Sequence, residues 1–375
     1  MQQTKHVKGL NPDMFLNRNA LHKDKLAYIA SRDGYGDGLV EAGSKYKQVV
    51  VLCPDVTEST RSSDFKKKFP ERFIQLGVSE QSLASIAAGM ALTGKIPFIS
   101  CFAAFCPGRN WEQIRTCIAL QKTNVKLTGS HAGLSVGEDG ATHQMLEDLA
   151  LMRVLPNMTV IAPGDALQTK KATLALANLK GPAYLRFSRE KSPAFTSEKT
   201  PFKIGSAYVY HFGNDLTLIA TGLLIYEALI IAHELSKQGI QARVIYCPTI
   251  KPLDKKTIIK AAKETGAIVT IEEAQIAGGL GSAISETTAL TTPVPIEYIG
   301  VQDEFGESAD TQTLFDTFGL STSSIELAAK RVLKRKYNER VDDIIEYKTV
   351  AKKYKQEKQK KIIEEALNRT PKKWL

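Results

Sequence analysis

The sequence has little cysteine, and its five cysteines form no pattern of paired metal ligands or disulfide partners: Cys53, Cys101, Cys106, Cys117 and Cys247. An odd count without a framework excludes a disulfide scaffold and indicates thiols in a reducing compartment. No apolar run reaches the roughly 18 residues that a transmembrane helix needs. The N-terminal stretch MQQTKHVKGLNP lacks the apolar core of a signal peptide. We therefore expect a cytoplasmic protein that does not span a membrane.

Excess positive charge is scarce outside the C-terminal end. The formal net charge is +10, and residues 334–375 hold fourteen Lys or Arg against seven Asp or Glu. The body of the chain is therefore nearly balanced, which disfavours a nucleic-acid-binding surface there. In the tail the basic residues alternate with acidic ones, and its aromatic residues match no recognised RNA-binding pattern. A tail that binds nucleic acid or a partner stays open as a minor alternative.

Hydrophobic residues make up 43% of the sequence, which is ordinary globular usage. The length of 375 residues suggests two or three domains. Short apolar runs alternate with helical stretches along most of the chain, a pattern typical of parallel sheets with helices on both faces. We predict two consecutive three-layer α/β/α domains with mostly parallel sheets and a charged helical C-terminal tail. The predicted organisation is an N-terminal arm (1–23), a first domain (24–190), a linker (191–204), a second domain (205–333) and a basic tail (334–375).

Two stretches of the first domain suggest chemistry. The Gly-rich loop HAGLSVGEDGATHQ (131–144) follows a predicted strand and holds two of the six histidines in the chain. Ligands bind beyond the carboxyl ends of parallel strands, where such a loop lies. In QLGVSEQ (75–81), a strand passes into a helix through Glu80. The small-residue helix that follows would pack tightly and leave the carboxyl group in a dry environment. Without a binding role, Glu80 would be an N-terminal carboxylate that interacts favourably with the helix dipole.

These stretches carry a resemblance. GVSEQ, SCFAAF (100–105), the 131–144 loop, LMRVLPNMTVIAPGDA (151–166) and FSRE (187–190) resemble the thiamine-diphosphate enzymes of the transketolase family. More narrowly, the chain is similar to the C-terminal subunit of split transketolases. The resemblance covers residues 20–333. It implies a thiamine-diphosphate pyrimidine-binding domain at 24–190, followed by a transketolase C-terminal domain at 205–333.

The resemblance implies a cofactor-binding role for three residues. Glu80 matches the glutamate that hydrogen-bonds to the aminopyrimidine ring of thiamine diphosphate, a contact that promotes removal of the thiazolium C2 proton. Phe102 and Phe105 match the aromatic residues that stack on that ring. In the absence of the resemblance, both phenylalanines would be ordinary core residues.

Five residues match positions that line the sugar-phosphate channel. His131 matches a histidine that contacts phosphate, Asp139 an aspartate that recognises a hydroxyl group, and His143 a histidine that binds substrate oxygens. Arg32 and Arg189 match phosphate-binding arginines, a task that suits the planar guanidinium fork. Glu80, His131 and His143 are thereby the expected catalytic residues.

The chain departs from the full-length enzymes at three places. Cys53 stands where a phosphate-binding serine is found, and Gly108 where a tyrosine often follows the paired phenylalanines. Ala132 and Gly133 replace an Asp-Ser pair after the first histidine. These changes affect the expected phosphate contacts and the choice of pentose.

The diphosphate-binding half of the cofactor site is missing. The family holds the diphosphate and a divalent ion with a Gly-Asp-Gly motif and a later Asn, but Gly36-Asp37-Gly38 lies in a predicted helix and no Asn follows in 60–68. We assign no metal ligand to this chain and expect a partner, an N-terminal diphosphate-binding subunit, to hold Mg²⁺ or Ca²⁺. The expected assembly is an α2β2 heterotetramer with thiamine diphosphate shared at subunit interfaces.

The expected activity is transfer of a two-carbon ketol unit from a ketose phosphate to an aldose phosphate in the pentose phosphate pathway. One alternative is another thiamine-dependent half-enzyme, of the deoxyxylulose-phosphate synthase or 2-oxoacid dehydrogenase beta type. A second is a catalytically idle scaffold subunit.

Overall fold

The computed structural model describes residues 9–339. Strands and helices alternate through the first two hundred residues. The strands are β1 (Tyr28–Ala30), β2 (Val49–Cys53), β3 (Phe73–Gln75), β4 (Ile96–Phe102), β5 (Lys126–Ser130), β6 (Thr159–Ile161), β7 (Ala183–Arg186) and β8 (Lys191–Pro193). The helices are α1 (Ser31–Lys45), α2 (Ser63–Lys68), α3 (Glu80–Leu92), α4 (Trp111–Gln113), α5 (Asp148–Val154) and α6 (Ala166–Asn178). A π-helical turn, Ile114–Ala119, continues α4.

The alternation resumes in the second half of the chain. The strands are β9 (Tyr208–His211), β10 (Leu216–Ala220), β11 (Ala242–Tyr246), β12 (Thr249–Lys251), β13 (Ile268–Gln275) and β14 (Ile296–Val301). The helices are α7 (Leu224–Lys237), α8 (Lys255–Thr265), α9 (Leu280–Ala289), α10 (Thr311–Thr317) and α11 (Thr322–Lys336). Among residues 9–339, no helix is long and apolar enough to cross a bilayer.

Two mostly parallel sheets organise the molecule. The first has the strand order β12-β6-β7-β5-β4-β2-β3, and the second has β14-β13-β10-β11-β9. Within them only β12 and β9, both at sheet edges, run antiparallel to their neighbours. Their central strands are buried along their whole length, as expected for sheets covered on both faces. The prediction of two α/β domains with mostly parallel sheets is confirmed.

The two domains share a hydrophobic core. One cluster of buried side chains joins the face of the first sheet that packs on α3 and α5 to the face of the second sheet that packs on α8 and α9. A second cluster lies under α1 and α6, and a third lies under α7 and α11. Strand β12 follows the second domain's β11 in sequence but pairs with β6 of the first sheet. The domains are therefore held together by backbone pairing as well as by apolar contact.

Several boundaries differ from the sequence prediction. The spacing of apolar residues over 24–45 predicts one helix, but α1 begins only at Ser31, because β1 pairs with β8, whose three residues open the predicted linker. Part of the N-terminal arm packs on the second domain, where the Asn11 N–H donates to the Tyr210 carbonyl oxygen at 2.9 Å. Long-range pairing decides both features, and local periodicity carries no signal of it. Helix α11 ends at Lys336, so most of the predicted helical tail lies outside the described residues.

Candidate functional site

The predicted site residues lie along the carboxyl edge of the first sheet. Phe102 is the last residue of β4, His131 directly follows β5, and Arg189 comes shortly after β7. These three strands are neighbours and parallel, so their carboxyl ends meet at one edge. Glu80 begins α3 and Arg32 lies in the first turn of α1. Phe105, Asp139 and His143 lie in the loops that follow β4 and β5.

Glu80 is buried, as its sequence context predicts. Its side chain is only 4% exposed, and one carboxylate oxygen accepts a hydrogen bond from Nη1 of Arg109 at 3.3 Å. The Asn110 side chain donates to the Glu80 backbone carbonyl at 2.9 Å, which fixes the first turn of α3. Behind this turn the helix packs through Leu83, Ala84 and other small residues. The carboxyl group is thus held at a helix N-terminus with one partly exposed cation beside it.

Aromatic rings connect Glu80 to the two histidines. The Arg109 guanidinium that contacts Glu80 also lies 5.5 Å from the ring centre of Phe105. Phe105 meets His143 edge to face at 5.6 Å, and Phe102 stacks on His131 at 3.9 Å between ring centres. The two phenylalanine rings are 6.2 Å apart. The structure therefore brings the five predicted cofactor-binding and catalytic residues into one continuous cluster.

His131 is a neutral imidazole in this environment. It is 3% exposed, and its Nδ1 lies 2.7 Å from the Ser130 hydroxyl oxygen. Burial, with further contributions from the positive charges of Arg32 and Arg189, lowers the pKa of His131 to about 3. Its backbone has a φ of 55°, in the left-handed region, which is uncommon for a residue other than glycine. At neutral pH it can exchange hydrogen bonds with a ligand without carrying charge.

Arginines surround this histidine. Arg189 lies 3.4 Å from the Asp139 carboxylate, so two predicted substrate-binding residues form an ion pair. Arg32 donates from Nη1 to the Ser59 carbonyl at 3.3 Å, whereas its buried Nε has no hydrogen-bond partner in the described chain. Burial and the neighbouring Arg61 lower the pKa of Arg32. A guanidinium with an unused buried donor, next to two other arginines, is suited to bind an anion.

The Gly36-Asp37-Gly38 stretch lies within α1 and serves packing. A Cβ atom on Gly36 would come 2.6 Å from the Arg61 backbone oxygen, and one on Gly38 would come 2.7 Å from Cβ of Thr173 on α6. Both glycines allow α1 to approach its neighbours closely. Within residues 9–339 there is no group of three or more His, Cys, Asp or Glu side chains placed to hold a metal ion.

Structure clarifies the three departures from the family pattern. The Cys53 thiol is buried and accepts a hydrogen bond from Thr57 at 3.6 Å, and burial raises its pKa. A Cβ atom on Gly108 would lie 2.0 Å from the Ala104 carbonyl oxygen, so this backbone has no room for a tyrosine. Gly133 has a φ of 84°, and a Cβ there would come within 2.5 Å of the Glu273 carboxyl group. Any side chain at 108 or 133 would require a different local backbone.

Sequence reasoning missed several residues of the site. Arg109 follows the aromatic run by one turn, and Ser130 directly precedes His131, but single Arg and Ser residues carry no distinctive signal. Arg61 lies in the segment 60–68, where the family pattern predicts only an asparagine. The second domain, to which no catalytic residue was assigned, contributes Glu273, a fully buried carboxyl group under the 131–144 loop. An acidic pair in an apolar strand was the available signal for this residue.

Fold and site together define a two-domain α/β protein with a candidate ligand site at the carboxyl edge of its first sheet. Comparison with known proteins identifies the family. Residues 27–194 match the transketolase pyrimidine-binding domain, and residues 205–325 match the transketolase C-terminal domain. The chain therefore belongs to the transketolase family, whose members are thiamine-diphosphate-dependent transferases.

This chain covers nearly the whole length of several individual relatives. A putative transketolase C-terminal section of Methanocaldococcus jannaschii is 44% identical over 309 residues, which are 82% of this chain and 96% of the relative. A 6-deoxy-6-sulfo-D-fructose transketolase subunit of a Clostridium species is 39% identical over 305 residues, 81% of this chain and 95% of that one. A solved split-gene transketolase, described as an inactive beta4 tetramer, is 42% identical and superposes with a TM-score of 0.77 over 83% of this chain and 100% of its own.

Proposed function

We propose that this chain is the C-terminal subunit of a split transketolase that transfers a two-carbon ketol unit from a ketose phosphate to an aldose phosphate. The carrying observation is the continuous cluster from the buried Glu80 through two phenylalanines to His131 and His143. Thiamine diphosphate, when bound, supplies the carbon nucleophile for this chemistry. Operation in the pentose phosphate pathway is part of the proposal, and the cytoplasmic location stays a prediction.

The residues present fit the pyrimidine half of the cofactor. A buried carboxyl group at a helix N-terminus can share a proton with a ring nitrogen, which is the role we propose for Glu80. Phe102 and Phe105 provide the apolar face against which a flat heterocycle packs. Arg109, which is about half exposed, can move away from the carboxyl group at little cost.

The polar side chains beyond these rings would bind the sugar. We propose that the neutral imidazole of His131 exchanges hydrogen bonds with substrate oxygens, that His143 also binds substrate oxygens, and that Asp139 orients a hydroxyl group. Arg32 and Arg189 would bind the terminal anionic group, for which the unpartnered Nε of Arg32 is a ready donor. A relative named for a sulfonated sugar supports an anion-binding role without fixing which anion this chain prefers.

A partner subunit is the second part of the proposal. Gly36-Asp37-Gly38 packs inside the fold, so we place the diphosphate and its Mg²⁺ or Ca²⁺ on an N-terminal subunit. Exposed apolar side chains lie on and around α3: Val78 precedes Glu80 by two residues, and Leu92 is at the other end of the helix. Such a surface next to half a site is suited to a subunit contact. The solved relative is described as an inactive beta4 tetramer. This supports our proposal that activity requires an α2β2 assembly.

The direct test compares the chain alone with its mixture with a matched diphosphate-binding subunit. Binding of thiamine diphosphate in the presence of Mg²⁺ is measured by calorimetry. Ketol transfer is measured as turnover of the substrates xylulose 5-phosphate and ribose 5-phosphate. We expect both only in the mixture, with saturation at one partner subunit per chain. Tight binding by the isolated chain would show that it holds a complete site. Pyruvate consumption without ketol transfer would favour the synthase or dehydrogenase alternative.

A catalytically idle scaffold is the remaining alternative. Such a chain would assemble with the partner without contributing to turnover. The intact cluster of Glu80, His131, Asp139 and His143 argues against it, since a scaffold has no need of an unpartnered arginine donor beside a neutral buried histidine. The same mixture decides the point, because an idle chain would leave ketol transfer absent at every ratio of subunits.

A further inference from the structure

The second domain reaches the site through the segment 306–309, which packs on the 131–144 loop, and through one buried carboxyl group. Glu273 lies on β13 and is only 2% exposed. Its Oε1 accepts a hydrogen bond from the Ser135 backbone N–H at 2.5 Å, whereas its buried Oε2 has no hydrogen-bond partner in the described chain. Burial raises the pKa of Glu273 to about 7, against the positive charge of Arg186, with Asp148 raising it further. A buried carboxyl group with a spare oxygen is costly unless it serves a purpose.

The hydrogen-bonded segment is the part of the loop that carries substrate-facing residues. Ser135 lies in the 3₁₀ segment Leu134–Asp139, which begins three residues after His131 and ends at Asp139. The same segment is held on its other side by Arg189, which donates to the Val136 carbonyl at 3.1 Å and pairs with Asp139. Glu273 therefore holds the segment between two proposed substrate contacts.

The loop is shaped to fit against this carboxyl group. Gly133 lies so close that a Cβ atom would come 2.5 Å from the Glu273 side chain, and its backbone N–H donates to the Met145 carbonyl at 2.9 Å. Arg186, the last residue of β7 in the first sheet, donates to the Glu273 backbone oxygen at 2.6 Å and pairs with Asp148 at 2.9 Å. The carboxyl group is thus fixed from its own strand and from the first sheet, and the loop rests on it.

We propose that Glu273 is a positioning residue: it holds the segment Leu134–Asp139 so that His131 and Asp139 face the sugar. This inference rests on the proposed function, because the segment matters for turnover only if it binds substrate. It gives the second domain a part in substrate binding that is exerted through the loop, in addition to burying surface. A loop with three glycines at positive φ has many accessible conformations, so the Glu273 contact restricts it, together with the hydrogen bonds that the Gln144 side chain donates to the Gly137 and Glu307 carbonyl oxygens.

The adjacent residue provides a matched control. Glu272 is equally buried, and its side chain points to the opposite face of β13. There its two oxygens accept from the Leu280 and Gly281 backbone N–H groups at 2.8 Å each, at the start of α9. Both glutamates are buried carboxyl groups that bind backbone N–H groups. Only Glu273 touches the loop at the site.

The experiment uses the reconstituted two-subunit enzyme with E273L, E273Q and E272L. We expect E273L to raise the KM for xylulose 5-phosphate at least tenfold with a smaller change in kcat, and E273Q to restore KM to within threefold, because an amide oxygen can still accept from Ser135. We expect E272L to lower Tm at least as much as E273L while leaving KM within twofold. Equal losses of activity in E273L and E272L, or an unchanged KM in E273L, would overturn the proposal.

A measurement that does not need activity separates this proposal from the proposed function. Amide hydrogen exchange of the folded chain, without partner or substrate, reports on the loop directly. We expect faster exchange across 133–145 in E273L, rescue in E273Q and no change there in E272L. If this pattern holds while the wild-type mixture shows no ketol transfer, the proposed function fails and the positioning contact stands. Unchanged exchange in E273L overturns the positioning contact, whatever the activity.

Discussion

The two ends of strand β5 bury polar side chains in opposite ways. Lys126 is the first residue of the strand and is fully buried. Its ammonium group donates three hydrogen bonds, to the Asn124 side-chain oxygen at 2.8 Å and to the Leu179 and Gly181 carbonyl oxygens at 2.8 and 2.6 Å. His131 follows the other end of the strand, with a left-handed backbone and one neighbouring hydroxyl group. Burial lowers the pKa of both side chains.

The difference lies in the bonding capacity that is left unused. Every donor of Lys126 has a protein acceptor, so this end of the sheet has nothing further to offer a ligand and its role is structural. Around His131, the buried Arg32 Nε lacks an acceptor and the backbone is strained. Unused polar capacity and strain cost stability, and they persist where a ligand or partner completes the site. The comparison separates a polar group that holds the fold from one to which the proposed function assigns a binding role.

The largest effect is expected at the carboxyl edge. Glu80→Gln should lower ketol transfer by the reconstituted enzyme by about 10³-fold, because an amide cannot share a proton with the cofactor ring as a carboxyl group does. Turnover is measured with xylulose 5-phosphate and ribose 5-phosphate, and assembly by light scattering. Glu234→Gln, on the exposed face of α7, is the control and should leave both unchanged. Activity that survives in Glu80→Gln would mean that the cofactor assignment is wrong.

At the opposite end of β5, stability should change while activity is retained. Lys126→Met leaves three acceptors without their donor and should lower the free energy of unfolding by about 3 kcal/mol. Denaturant unfolding of the isolated chain measures this, and turnover per folded molecule should stay within twofold of wild type. Lys95→Met, at an exposed position before β4, is the matched substitution and should cost less than about 0.5 kcal/mol. A large loss of turnover in folded Lys126→Met would remove the contrast between the two ends.

A smaller effect should appear in the pH dependence of stability. The pKa of His131 is about 3 when folded and near 6.5 when unfolded. Below pH 6.5 the unfolded chain binds a proton that the folded chain does not, so the free energy of unfolding falls as the pH falls. The contribution is about 1 kcal/mol per pH unit between pH 6 and 4. His131→Asn should reduce the slope by that amount, and parallel curves for the two proteins would show that His131 is not buried as described.

The smallest effect is expected from the basic tail. A chain that ends after Glu339 keeps α11, in which Arg335 donates to Glu297 at 2.7 Å and Lys336 donates to the Asp215 carbonyl at 2.8 Å. We expect assembly and ketol transfer to stay within twofold of the full-length values. A loss of assembly in the truncated chain would instead give residues 340–375 a binding role. So would retention of RNA by the full-length chain that the truncated chain does not show.

Much of this protein could be predicted from its sequence, because the informative signals are local. Buried parallel strands are continuous apolar runs, and the loops after them carry the histidines, acids and arginines of the site. The position of Glu80 at the start of a small-residue helix predicts that the residue is buried, and the structure confirms this at 3% exposure. The order of the motifs was sufficient for the family resemblance that the comparisons confirm.

Only the tertiary structure decided what depends on residues far apart in the chain. Pairing of β1 with β8 moved the start of the first helix to Ser31, and pairing of β12 with β6 joined the two domains, because backbone partners are chosen by the whole sheet. The contact of Glu273 with Ser135 spans 138 positions and has no local periodicity. The low pKa of His131 likewise depends on burial and on arginines brought in from two other elements. Sequence determined which groups are available, and packing determined which of them meet and in which charge state.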